Sequence, residues 1–422
     1  MKPTFIIFLL FALLRITPSA SQVVDTVYSP LIKTVLFAPA SNPLNQPVIT
    51  LQNGDVLQLS FDELAEQPHN FYYKFVHCDH NFNPDDLEPY EFINGFNTAS
   101  VSTHEFSFTT LQPYIHYTQT IPAPYSTFLA SGNYALYLYC QSDSGGDDSL
   151  VLTRRFYVTE DILTSSIDIE RSPSNINQNQ HVSVVVSTSE PANAHFLNPT
   201  YLTARIIQNQ RPDLMRTLSF SGYDAGRLVY RFHDENHFPG GNCFRYFDIS
   251  NMNTPMYNVQ HISSFGGELI AIIKPEEIQS HKSFILQPSL NGGMKVNVWD
   301  RNHPETEADY VHVTLTFPAQ YPYLDGSVHV FGQLTGWTLG ESSRMDWNPK
   351  LKSYILHLYL KQGYYAYQLL FIPAGGASEE SYTSRLEGDH SLTPNTYTLF
   401  LYSRQPGERY FRLLHVSSAQ YQ

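Results

Sequence analysis

The chain has 422 residues, a length for two or three domains rather than one. With 42% hydrophobic and only 15% charged residues it can bury large cores, which excludes a disordered chain. A formal charge of −14 without a basic run excludes an ordinary phosphate-binding surface, so no nucleic-acid partner is expected.

The N-terminus reads MKPTFIIFLLFALLRITPSASQ. Lys2 gives a positive start, Phe5 to Leu14 an apolar run, and Ser19 and Ser21 the small residues before a cut. That pattern predicts a secretory signal peptide over 1–21, with Gln22 as the mature start. The apolar run is too short to span a bilayer, and no later segment approaches that length, so no membrane insertion is expected.

Beyond the signal, alternating apolar patterns and turns predict strands throughout. Aromatics reach 14%, with 29 Tyr and 27 Phe, which favours strands over helices. In VLQLSF, Leu57, Leu59 and Phe61 share one face. NFYYKFVHCDH and SGNYALYLYC follow, then LVLTRRFYV. The polar run Glu170 to Gln180 reads as a loop. HVSVVVST, LTARIIQ, RLVYRFH and MKVNVWD are strands of a second block. YVHVTLTF opens a third, which holds VHVFGQLTGW and LKQGYYAYQ and closes with TYTLFLY and ERYFRLLHV.

The expected fold is all-β: two to three tandem immunoglobulin-like β-sandwich domains, the last resembling an early-set, glycogen-binding-type sandwich. The expected bounds are 22–161 for the N-terminal sandwich, 162–304 for a middle β-rich domain and 305–422 for the C-terminal sandwich. An alternative is two units with the middle block as an elaborate insertion.

His77-Cys78-Asp79-His80 sets four metal-capable residues in a row, but a strand sends neighbours to opposite faces. Asp79, Asn81, Asn83 and Asp85 imitate a calcium loop until Pro84 and Tyr90 break it. A capped turn fits better, and neither a metal nor a cofactor is expected. No G-x-S-x-G, H-E-x-x-H, P-loop or dinucleotide fingerprint occurs, so no enzyme is expected. Three cysteines leave one odd thiol, with Cys78 and Cys140 the pair considered for a disulfide. Trp337 and Trp347 either stack on a sugar, making a glycan-binding module, or pack onto the sandwich. In YYAYQ, Tyr365 and Tyr367 share one face and Tyr364 the other, with one set buried.

Several blocks together resemble the plug protein family of the type IX secretion system of Bacteroidota. They are VITLQNGDVLQLSFDEL, YYKFVHCDHNFNPDDLEPYEFINGF, QNQRPDL, FHDENHFPGGNCFRYFDIS, ETEADYVHVTLTF and RLEGDH with TYTLFLYSRQPGERYFRLL. The resemblance covers nearly the whole mature chain; one departure is Cys243, where the family carries an acid. It implies a non-enzymatic periplasmic protein, peripheral to the outer membrane. Such a protein binds and seals the periplasmic mouth of a giant outer-membrane β-barrel translocon when the barrel's shuttle partner is absent. Phe244, Arg245, Tyr246 and Phe247 are the candidate partner-binding patch, with ordinary strand packing as the alternative.

Overall fold

The computed structural model describes residues 22–142, 146–288, 290–375 and 382–421. The expected signal peptide lies outside the described residues. The described chain is nearly all strand, arranged in three packed pairs of sheets.

In the first pair, the strands Phe71–Cys78, Gly132–Cys140 and Ser149–Thr159 form the middle of one sheet. Ile32–Pro39, Leu57–Glu63, Ile115–Ile121 and Thr103–Phe106 form the facing sheet. The period-two pattern sets which side chains meet between them. Leu57, Leu59 and Phe61 point inward as expected, against Phe71, Tyr73 and Phe75 from the opposite sheet. Phe61 stacks on Tyr117 at 5.0 Å and meets Phe71 edge-on at 5.2 Å. Full burial of each such ring contributes about 1.5–3 kcal/mol. The other face of Phe71–Cys78 is buried at its Cys78 end, where Cys78 joins Ala135 and Tyr157 against Ile207, Phe400, Tyr402 and Leu413 of the second sheet pair, while Lys74 on the same face is exposed.

Strand pairing cuts across the expected division at residues 304 and 305. Thr396–Ser403 pairs with Leu202–Gln208, and Arg412–Gln420 pairs with Thr396–Ser403. These last two strands therefore close the middle sandwich, facing Asn179–Ser187 and Arg227–Tyr230 across a core of Val182, Val184, Ile206, Tyr397 and Leu399. Arg245–Asp248 and Met294–Val296 lie before the expected boundary, yet both pair with Gly363–Pro373. Gly326–Phe331 pairs with the same long strand. The facing sheet runs Val259–Phe265, Glu268–Ile273, Tyr310–Pro318, Ser353–Lys361 and Asp346–Asn348. The chain thus leaves the middle sandwich after Pro239, builds a whole sandwich, and returns at Thr396. An inserted unit does exist, but it is the third block lying within the second. Linear strand patterns are blind to this, because alternation tells which face is buried and not which strand lies alongside.

Candidate interaction site

The candidate patch at residues 244–247 sits where the chain enters the inserted sandwich. Arg245 begins a strand paired with Tyr364 to Tyr367. Phe244, Arg245 and Phe247 are all buried, and Phe247 stacks on Tyr365 at 5.4 Å. The Arg245 guanidinium makes a fork to Glu387, at 2.8 Å from Nε to Oε1 and 2.9 Å from Nη2 to Oε2. It also pairs with Glu276 and donates to the Glu277 carbonyl at 2.8 Å. Burial works against its charge, but Glu387 and Glu276 outweigh that and raise its pKa above the usual arginine value. The partner-binding expectation therefore does not fit Phe244, Arg245 or Phe247, whose contacts are already made inside the fold. Tyr246 is half-buried and stacks on Tyr364 at 5.3 Å. Asp248 and Glu235, the acids near Arg245 in sequence, are not among its partners.

What these residues do build is a clasp. HFPGGNCFRYF carries the chain out of the middle sandwich, and RLEGDH carries it back. The two crossings bind each other: His390 N–H donates to the Gly241 carbonyl at 2.8 Å, and Asn242 Nδ2 to the Glu387 carbonyl at 2.9 Å. Thr393 Oγ1 and Asn395 Nδ2 donate to Gly241 and Gly240 carbonyls at 3.0 and 2.8 Å. A Cβ on Gly240 would lie 2.2 Å from the His390 carbonyl oxygen, so the strands can approach this closely only over glycine.

Trp337 and Trp347 do not make a shared platform. Trp337 packs edge-on against Phe331 at 5.4 Å and Phe244 at 6.4 Å. It also lies over Gly292, where a Cβ would come within 2.3 Å of the indole. Trp347 instead covers Tyr354 at 5.2 Å, in the main core of the inserted sandwich. Each is half-buried in a separate apolar cluster. Tyr365 and Tyr367 are the buried pair of YYAYQ. Cys78 pairs in register with Asn133, and Cys140 with Phe71, at opposite ends of one strand pair. That separation is on the order of 20 Å at a strand's rise per residue, so these two thiols cannot bond to each other. The His77–Asp85 stretch is a capped turn. Asp79 accepts from Asn81 and Asn83 N–H at 2.8 and 2.9 Å, while His77 Nδ1 is 2.5 Å from Asp85.

Two polar joints hold the first sandwich to the rest. At one, Asp62 takes Lys361 Nζ and Tyr310 Oη on one oxygen, both at 2.7 Å, and His116 Nδ1 on the other at 2.6 Å. Lys361 also donates to the Glu305 carbonyl at 2.6 Å and lies 4.1 Å from the Tyr114 ring. Burial lowers the Lys361 pKa while Asp62 opposes the shift. At the other joint, Arg412 Nε donates to Glu160 at 2.8 Å, and Ser131 Oγ donates to the same oxygen at 2.6 Å. Neither joint is legible in sequence, because Asp62 and Lys361 lie 299 positions apart.

The exposed aromatics lie elsewhere. Tyr125 is fully exposed, with Tyr90 and Phe96 more than three-quarters so and Leu129 about half, all in the connections of the first sandwich, while Phe232, Phe265 and Tyr321 are about as exposed on the other two. Sequence reasoning passed over those of the first sandwich because they sit among Pro, Asp and Asn in turn-like stretches. An aromatic inside such a polar turn was the signal available.

Residues 32–160 match the family model described as the type 9 secretion system plug protein 1st domain. The chain is similar to a crystal structure of a hypothetical protein from Parabacteroides merdae, with 27% identity and a TM-score of 0.88 over 95% of this chain and all of that one. A dimeric latent PorU from Porphyromonas gingivalis aligns with 11% identity over 93% of this chain and 34% of that one; its TM-score of 0.16 supports no shared fold. No curated protein matches the chain.

Proposed function

We propose that this chain, whose residues 32–160 belong to the plug-protein first-domain family of type IX secretion, is a non-enzymatic stopper. It seals the periplasmic mouth of a large outer-membrane barrel when the barrel's shuttle partner is absent. The observation that carries the reading is that family match. The architecture suits it: a stopper must resist deformation, and the three sandwiches are tied by buried ion pairs and a double crossing rather than by free linkers. Among the described residues no helix is long and apolar enough to cross a membrane, which fits a body that occludes a pore from the periplasm. Arg245, the one charged residue in the candidate patch, is used internally, so specific binding would rest on exposed aromatic surface.

Affinity purification of the tagged chain from outer membranes tests the proposal. The barrel is expected to co-purify, and more of it from cells lacking the shuttle protein. A preparation from such cells that never contains the barrel would sink the idea.

A further inference from the structure

We infer that the strand Val259–Phe265 pairs edge to edge with the same strand of a second copy of this chain, joining two inserted sandwiches through one continuous sheet. This strand ends a five-stranded sheet and, among the described residues, pairs only with Glu268–Ile273. Its far side therefore presents main-chain donors and acceptors at strand spacing, a pattern that another strand matches. Folded proteins guard such edges, and two other long edges here are guarded. Ile32–Pro39 carries Lys33, an interrupted register and a terminal proline, and Thr164–Arg171 carries Asp168, Glu170 and Arg171. Val259–Phe265 reads VQHISSF, with no acid, lysine, arginine or proline. Its one irregularity falls at Gln260, ahead of a regular run from His261 to Phe265.

The hairpin fixes the register. Gly266 and Gly267, with φ of 63° and 89°, close a two-residue turn, so the flanking Phe265 and Glu268 hydrogen-bond to each other. Alternation then makes Ser263 and His261 bond inward as well, while the N–H and C=O of Ser264 and Ile262 point to the free side. Antiparallel pairing about a two-fold axis at Ser263 sets Ile262 opposite Ser264 of the second copy. Those two residues exchange main-chain hydrogen bonds, and the symmetry repeats the exchange. The same register sets His261 opposite Phe265 of the second copy, and Ser263 opposite its own counterpart.

The side chains agree with this register. Ala271 and Ile273 enter the core, so Ile270 and Ile272 face outward, and with them their partners Ser263 and His261, and Phe265 beyond. His261 is exposed and Phe265 is 80% so; the pairing lays these rings side by side across the seam, once at each end. No like charges meet. An unrelated strand would satisfy the main chain but not this match of residues, which is why the occupant is a second copy. The inference does not rest on the secretion reading.

Sedimentation velocity on the mature chain, in reductant to exclude cysteine cross-links, decides it. Dimer is expected to accumulate as concentration rises to on the order of 100 µM. Ser263→Lys and Ser263→Glu each set like charges face to face on the axis. Each alone is expected to weaken dimerisation at least about tenfold with its melting temperature kept. Mixed in equal amounts, the two variants are expected to form a dimer holding one of each. Ser264→Pro removes an outward N–H without adding charge, and is expected to weaken dimerisation likewise. A chain that stays monomeric throughout the series overturns the inference. So does a dimer that all three variants leave intact. Lysine and glutamate variants that remain monomeric when mixed also overturn it, since their side chains would not then meet.

Discussion

Lys361 Nζ lies 2.7 Å from Asp62 Oδ2 with both side chains buried, and this pair ties the inserted sandwich to the first one. The two residues carry unequal burdens. Asp62 also accepts from Tyr310 and His116, whereas Lys361 also donates to the Glu305 carbonyl. Asp62→Ala leaves a buried ammonium without its counter-ion and takes an acceptor from Tyr310 and His116, for an expected cost of about 3–5 kcal/mol. Lys361→Met leaves a carboxylate still holding two donors, so its cost is expected to be smaller. Urea unfolding of both variants checks the order. Equal and small losses would show that the joint carries no stability.

Arg245 and Glu387 make a second prediction, one that separates packing from partner binding. Arg245→Met strands a fully buried carboxylate and also removes donors to Glu276 and the Glu277 carbonyl. A loss of about 3–5 kcal/mol is expected, and Arg245→Lys should not restore it, because ammonium cannot reproduce the fork. A variant of native melting temperature that fails only in co-purification would return Arg245 to the partner surface.

Much of the fold was legible, and the reason is visible in particular residues. Alternation in VLQLSF and YYAYQ foretold which side chains enter the main cores, but not that Ser60, Asp62, Ala366 and Gln368 on the opposite faces are buried as well, against neighbouring parts of the chain. The break after Pro239 was not legible, since Gly240, Gly241 and Asn242 look like any polar turn. Their meaning depends on Glu387 and His390, which sequence does not bring near. The ordered blocks that carried the family resemblance include both crossings of the clasp. The candidate patch was misread for a related reason: an arginine among aromatics looks alike in a core and at an interface until its carboxylates are found.

The clasp predicts a contrast between two glycines. Gly240→Ala places a methyl 2.2 Å from the His390 carbonyl oxygen, and Gly340→Ala meets nothing within 4 Å. The first is expected to cost at least about 1–3 kcal/mol as overpacking, and the second to stay within about 0.5 kcal/mol. Thermal unfolding of the pair measures this. A native-like Gly240→Ala would mean that the two crossings can separate without loss.

Alkaline pH tests the buried aromatic and thiol groups together. Burial raises Tyr73 and Tyr157 from 10.0 to about 12, and Cys78 from 9.0 to about 12. Each raised group binds its proton more tightly when folded. Its stabilising contribution is therefore complete below the unfolded pKa and is lost as pH climbs through the folded one. The window runs from pH 9 for Cys78, and from pH 10 for the tyrosines, to about 12. Within it each group removes about 1.4 kcal/mol per pH unit. Tyr134, Tyr310, Tyr367 and Tyr402 are raised further still by burial, so they add to the same slope. The share of the tyrosinate absorbance that comes from these buried rings should therefore appear at alkaline pH in a cooperative step that coincides with loss of the β-sheet circular dichroism signal. Tyr73→Phe, which removes one such group without changing the ring, should move that step to higher pH. Ionisation of the full complement of tyrosines with the sheet signal intact would show that these hydroxyls are reached by solvent in the folded chain.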